Sequence, residues 1–185
     1  MFRQPALDPG GGVDENAAVE ITAVQITAAG SFVVAGVPAH PLLVHAVVVL
    51  IPLAAVGAVA VAVRPAWERA YGPLVAAFAL AGAVSATLAR FAGQQLEDLI
   101  EITPGFQPVI DQHESFGLFT MWASWPFALL AVAATVLVWR GRESRGSPVR
   151  VVGALAAVAG VVAVVATVLA GHSGAAAVWA DVVSG

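Results

Sequence analysis

Residues 42–63 read LLVHAVVVLIPLAAVGAVAVAV, an unbroken apolar run with one imidazole, His45, and no Asp, Glu, Lys or Arg. About 20 apolar residues in a helix cross the hydrocarbon core of a bilayer. Lipid offers no hydrogen bonds, so a spanning segment must satisfy its own backbone. A soluble surface helix keeps a polar face, and this run has none. It predicts a transmembrane helix. Three further stretches, at about 73–92, 116–139 and 151–171, meet the same standard. The predicted fold is all-α, a four-helix transmembrane bundle built by residues 39–180.

Composition agrees. The 185-residue chain is 59% hydrophobic and 11% charged, against about 25% charge in soluble domains. Its mean hydropathy is +0.88. Residues 1–20 are polar, acidic and rich in Pro and Gly, and read as a disordered tail rather than a signal peptide. Residues 21–38 are uncharged and broken by Gln25, Thr and Gly. They read as an interfacial or packing segment, or part of an extra helix, with no strand expected anywhere. Residues 181–185 form a C-terminal tail. Pro41 and Pro73 are expected at helix starts; Pro52 and Pro126 fall inside spans.

Charge sets the direction. The loop at 64–72 carries Arg64 and Arg69 against Glu68, and the loop at 140–150 carries Arg140, Arg142, Arg145 and Arg150 against Glu143. The other face carries an acidic tail, then Glu97, Asp98, Glu101, Asp111 and Glu114, then Asp181. The positive-inside rule places the Arg-bearing loops in the cytoplasm and both termini outside. The expected location is a bacterial inner (plasma) membrane, multi-pass. Trp67, Tyr71 and Trp139 fit an inner aromatic belt, and Trp179 an outer one. Small residues, among them Gly57, Gly82, Ala156 and Gly160, offer close helix contacts, within the chain or between copies.

The four histidines of the chain, His40, His45, His113 and His172, all fall at the end of the spans opposite the Arg loops. Arg90 lies at the same level, with Glu97, Asp98, Asp111 and Glu114 as candidate partners. Imidazole binds haem iron axially and binds Zn, Cu and Fe directly. The candidate cofactor residues are His45, His113, His172 and Arg90, with His45 paired to His113 or His172 and Arg90 meeting a propionate. The candidate metal ligands are His40, His45, His113 and His172, joined by Asp111 or Glu114. The cofactor would be one haem b or a transition metal. Phe91, Phe106, Phe116, Phe119, Trp122 and Trp125 could line such a pocket, or could face lipid or pack the core. Residues 102–110, ITPGFQPVI, read as a turn returning the chain to the membrane, and Gly171-His172-Ser173-Gly174 as a helix end.

Several chemistries are excluded. With no Cys there is no thiolate site, iron–sulfur cluster or disulfide. His113-Glu114 does not continue as a zinc-protease motif, because Gly117 stands where the second His belongs. No catalytic residue is assigned, and no basic patch invites nucleic acid.

The segment Gly36-Val37-Pro38-Ala39-His40-Pro41-Leu42-Leu43-Val44-His45 resembles the opening of the domain-of-unknown-function 2231 family of predicted bacterial membrane proteins. His113 with Gly117 and Thr120 is similar to that family's third-helix entry. Gly171-His172-Ser173-Gly174-Ala175 with Val178-Trp179 is similar to its closing segment, over roughly residues 36–180 in all. The family often has a further histidine after the closing aromatic, where this chain has Ala180-Asp181. The resemblance implies a four-helix membrane domain and an association with haem or redox partners. The expected function is a membrane protein with a histidine cluster at its outer rim, binding one haem or metal as a redox-associated module. The alternative is a structural or assembly subunit of a membrane complex. The expected partners are the lipid bilayer, a redox protein or membrane complex, and a second copy of the chain.

Overall fold

The computed structural model describes residues 25–26, 32–34, 36–98, 102–141 and 147–183. The acidic tail, Glu101, and the charged residues Arg142, Glu143 and Arg145 lie outside the described residues, as does the side chain of Asp181. Four helices dominate: α1 (Ala39–Val63), α2 (Glu68–Glu97), α3 (Gln107–Arg140) and α4 (Ser147–Val183). Each is long and apolar enough to cross a membrane. They run up and down, each packed on its chain neighbour, and α4 closes the ring against α1.

Every helix exceeds its predicted span, because polar ends continue as helix beyond the apolar run. Much of the stretch between the second and third predicted spans is therefore helical. Gln94–Glu97 ends α2, and α3 starts at Gln107 with Pro in its first turn and a Gln107 Nε2 donor on Asp111 Oδ1. Pro73 is not a helix start but lies inside α2, after a 3₁₀ turn at Pro65–Trp67. Gly171–Gly174 is not a helix end either, since α4 runs through it. The helices also continue through Pro52 and Pro126.

The described part of 21–38 is not helical. It forms three short antiparallel strands, β1 (Gln25–Ile26), β2 (Phe32–Val34) and β3 (Val37–Pro38), where no strand was expected. Val34 pairs with Val37 across a tight turn in which Gly36 takes a φ of 81°, a conformation L side chains rarely adopt. The described strand residues Ile26, Val33, Val34 and Val37 are β-branched, a type that favours strand pairing.

Size rather than polarity sorts inside from outside. The core is mostly alanine, with Ala54, Ala79, Ala83, Ala128 and Ala163 fully or almost fully buried, and Phe127 and Ile51 as the largest fully buried side chains among the described residues. Val56, Leu129, Val158 and other large residues point outward. Lipid is as apolar as leucine, so close backbone approach between small residues drives helix contact. Gly57 sits under Val75, Gly82 under Ile51, and Gly160 under Phe127 and Ala55. These small residues pack the bundle internally. Trp67, Tyr71, Trp139 and Trp179 are exposed, and Arg64 lies 5.0 Å over the Trp67 ring centre.

Candidate functional site: a histidine pair at one end of the bundle

All four helices line a cavity of about 160 Å³ at the end opposite Arg64, Arg69 and Arg140. Its wall is largely apolar, with His40, Arg90, Gln94, Glu97, His113 and Glu114 as its main polar groups. Ile102 and Ile110, from the predicted turn and the start of α3, reach its rim. A cavity of this size is close to one that accommodates benzene.

The structure brings together His40 and His113, not the pairs preferred from sequence. Their ring centres are 6.1 Å apart and their planes stand at 86°. His45 is exposed on α1, and its Nδ1 donates to the Pro41 carbonyl of its own helix at 2.6 Å. His172 is exposed on α4 and does not line the cavity. The reason is rotational. At 100° per residue, His45 lies about 140° around α1 from His40. His172 lies about 200° around α4 from Ala170, which faces His113. Equal depth did not mean a shared face.

Each paired ring is clipped to a neighbouring helix. His40 Nδ1 lies 2.8 Å from the Ala89 carbonyl of α2. His113 Nδ1 lies 3.1 Å from the Ala170 carbonyl and 3.1 Å from Ser173 Oγ of α4. Ser173 Oγ itself donates to the Ala170 carbonyl at 3.0 Å. A carbonyl only accepts, so each Nδ1 carries a proton, and in the neutral ring Nε2 keeps a lone pair free for a ligand. Neither Nε2 has a hydrogen-bond partner among the described residues.

Two glycines seat the rings. A Cβ on Gly93 would lie 3.0 Å from His40 Nδ1 and Cε1, and one on Gly174 would lie 2.9 Å from His113 Cε1. Gly174 thus serves the close approach of α4 to α3. Gly93 was missed in the sequence. Its signal was the run of small residues Gly82, Ala86, Ala89 and Gly93, one stripe along α2. Gly174→Val should destabilise the bundle by about 1–3 kcal/mol through overpacking. Gly171→Ala adds its methyl to open space and should be neutral or stabilising by about 0.5–1 kcal/mol. Thermal unfolding in detergent separates the two.

Arg90 Nη1 donates to Glu114 Oε1, so of its four candidate partners Arg90 takes Glu114. The pair joins α2 to α3 at the cavity mouth and leaves neither carboxylate nor guanidinium alone near lipid. Asp111 is exposed and held by Gln107. None of the six candidate aromatics lines the cavity. Phe91, Phe119 and Trp122 are exposed, while Trp125 packs against the core and donates from Nε1 to Thr87 Oγ1 at 3.1 Å. Among the described residues there is no group of three or more His, Cys, Asp or Glu able to hold a metal.

These features define a four-pass membrane bundle with one histidine-lined cavity at one end. The chain belongs to the family described as Predicted membrane protein (DUF2231), whose model matches residues 36–184. No curated protein and no solved structure matches it.

Proposed function

We propose that this membrane protein holds one transition-metal ion at the outer end of its bundle, with the Nε2 atoms of His40 and His113 as its ligands. The observation that carries this reading is the pair of Nδ1–H bonds to carbonyls of neighbouring helices. Ligating histidines donate their second ring N–H in this way, which fixes tautomer and orientation. The spacing also suits an ion. With metal–nitrogen bonds of about 2.0–2.1 Å, two imidazoles on opposite sides of one ion have centres roughly 6 Å apart. Copper is the strongest binder among divalent first-row metals at nitrogen sites.

The test is metal uptake by the protein purified in mild detergent, with copper and zinc offered separately. One equivalent retained per chain supports the reading, and none retained from either metal removes it. A second reading rests on the same hydrogen bonds. They clip α1 to α2 and α3 to α4, as a structural or assembly subunit with no cofactor would require. A protein that takes up no metal yet loses thermal stability in His40→Ala, and copurifies with a stoichiometric partner, would favour that reading.

The Arg end is the cytoplasmic one in this proposal, by the positive-inside rule, and the membrane a bacterial plasma membrane. The chain has no Cys, so single-Cys reporters are unambiguous. A Cys at Gln112, near the histidine end, should react with an impermeant maleimide added to intact cells, and one at Ala66 should not. The reverse pattern would invert the topology.

A further inference from the structure

We propose that Glu68 is a proton-binding site of the bundle, holding its proton as a neutral carboxylic acid between α2 and α3 at the Arg end. Glu68 is only 5% exposed, although it opens α2 among arginines. It lines a void of about 10 Å³, room for roughly one water, whose other walls are Ala, Val and Gly from all four helices. Beside it lies Thr135 of α3, whose buried Oγ1 finds its one polar neighbour in the Glu68 carboxyl and no partner on its own helix. Thr87, Thr120 and Thr167 each donate to the carbonyl four residues back in their own helix, and Thr135 does not.

Gly72 makes the juxtaposition possible. A Cβ there would lie 2.6 Å from Glu68 Oε1 and 3.0 Å from Thr135 Oγ1. The two groups therefore share the space over one missing side chain.

No cation answers the carboxyl among the described residues. Arg69 reaches the Val138 carbonyl, Arg64 lies over Trp67, and Arg140 and Arg150 are exposed. The facing residues of α1 and α4, Ala58, Val61, Gly153 and Ala156, are apolar. A buried carboxylate with no cation beside it is disfavoured against its neutral form. The start of α2 favours the ionised form, but that effect is smaller than the desolvation of an unpaired carboxylate. A metal cation would find only the carboxyl and one hydroxyl, too few oxygens for a hard ion. A proton needs one acceptor. The Glu68 O–H can donate to Thr135 Oγ1 and satisfy both groups.

Infrared spectra of the wild type and Glu68→Gln in detergent at neutral pH test the proposal. The expected difference is the carbonyl stretch of a protonated carboxylic acid, shifted in heavy water and lost in the variant. If only carboxylate bands are lost, the proposal fails. Dicyclohexylcarbodiimide on the wild type gives a second reading that no variant's folding can spoil. The acid O–H adds across one C=N bond, and acyl migration to nitrogen leaves an N-acylurea on the residue. Peptide mapping should find this adduct on Glu68. An unmodified Glu68, or one that sodium ions protect, would overturn the assignment.

Discussion

Replacing either His40 or His113 by Ala is expected to abolish metal retention, while His45→Ala and His172→Ala leave it intact. Changes in groups that merely orient a ligand cost about 10–100-fold in metal affinity. Removing one of two ligands should cost on the order of 100-fold or more, enough to lose the ion during purification. The contrast among the four histidines makes the test specific. All four sit at one end of the bundle, so a nonspecific effect of imidazole content would fall on each alike. Only His40 and His113 line the cavity and have their Nδ1 protons committed to another helix. Metal content per chain, measured after gel filtration for wild type and all four variants, decides it. Equal loss in all four, or loss only in His45→Ala or His172→Ala, would move the site away from the cavity.

The second large effect is expected at the centre of the bundle. Gly160→Leu should destabilise the fold by about 3 kcal/mol, the upper end of overpacking costs. A Cβ at Gly160 already lies 3.0 Å from Phe127 Cε2 and 3.2 Å from Ala55 Cβ. Leucine adds three further carbons where α4 meets α1 and α3. Phe127 is fully buried and has nowhere to turn. Phe127→Ala alone opens a void. At about 24 cal/mol per Å³, a vacancy on the order of 100 Å³ costs about 2 kcal/mol. The lost transfer to an apolar phase counts for little when the alternative surroundings are lipid. Combined, the two changes restore much of the volume, so the double variant should be more stable than their sum predicts. Val158→Leu, on the outward face of the same helix, should be silent. Thermal melts of the four proteins check the cycle, and strict additivity would show that the two positions do not share a void.

How much of this was legible depends on which force wrote each feature. The four spans were readable because hydrocarbon tolerates no unsatisfied backbone, and the demand leaves long uncharged runs such as 42–63. The grouping of the histidines at one end followed from counting spans. The helical extensions beyond the spans were harder to see. Outside lipid, polar residues such as Gln94 and Gln107 support helix as well as loop. The strands at 25–38 were hidden because they are two or three residues long and rest on pairing partners rather than on a local pattern.

The lining of the cavity was legible by residue type and not by direction. His113 and Arg90, two of the residues singled out, line it, as does Glu114, one of the candidate partners of Arg90. His45 and His172 were preferred over His40, although about 140° of helix rotation separates His45 from His40. Glu68 was counted as one charge in a loop, and nothing in its neighbours announced that Gly72 would leave space to bury it against Thr135.

Sequence alone therefore determined that this chain has four membrane-spanning stretches, that its imidazoles gather at the end away from the Arg-bearing loops, and that the given sequence offers no thiol. These are one-dimensional consequences of length, hydropathy and charge. Only the tertiary structure decided which imidazoles meet, which glycines seat them, and which carboxyl goes inside. In these helices nearly every face is apolar, so no stripe of polarity marks the inward side. The rotation of each helix is set instead by where Gly and Ala let two backbones come closest, and that is settled between helices, not along them.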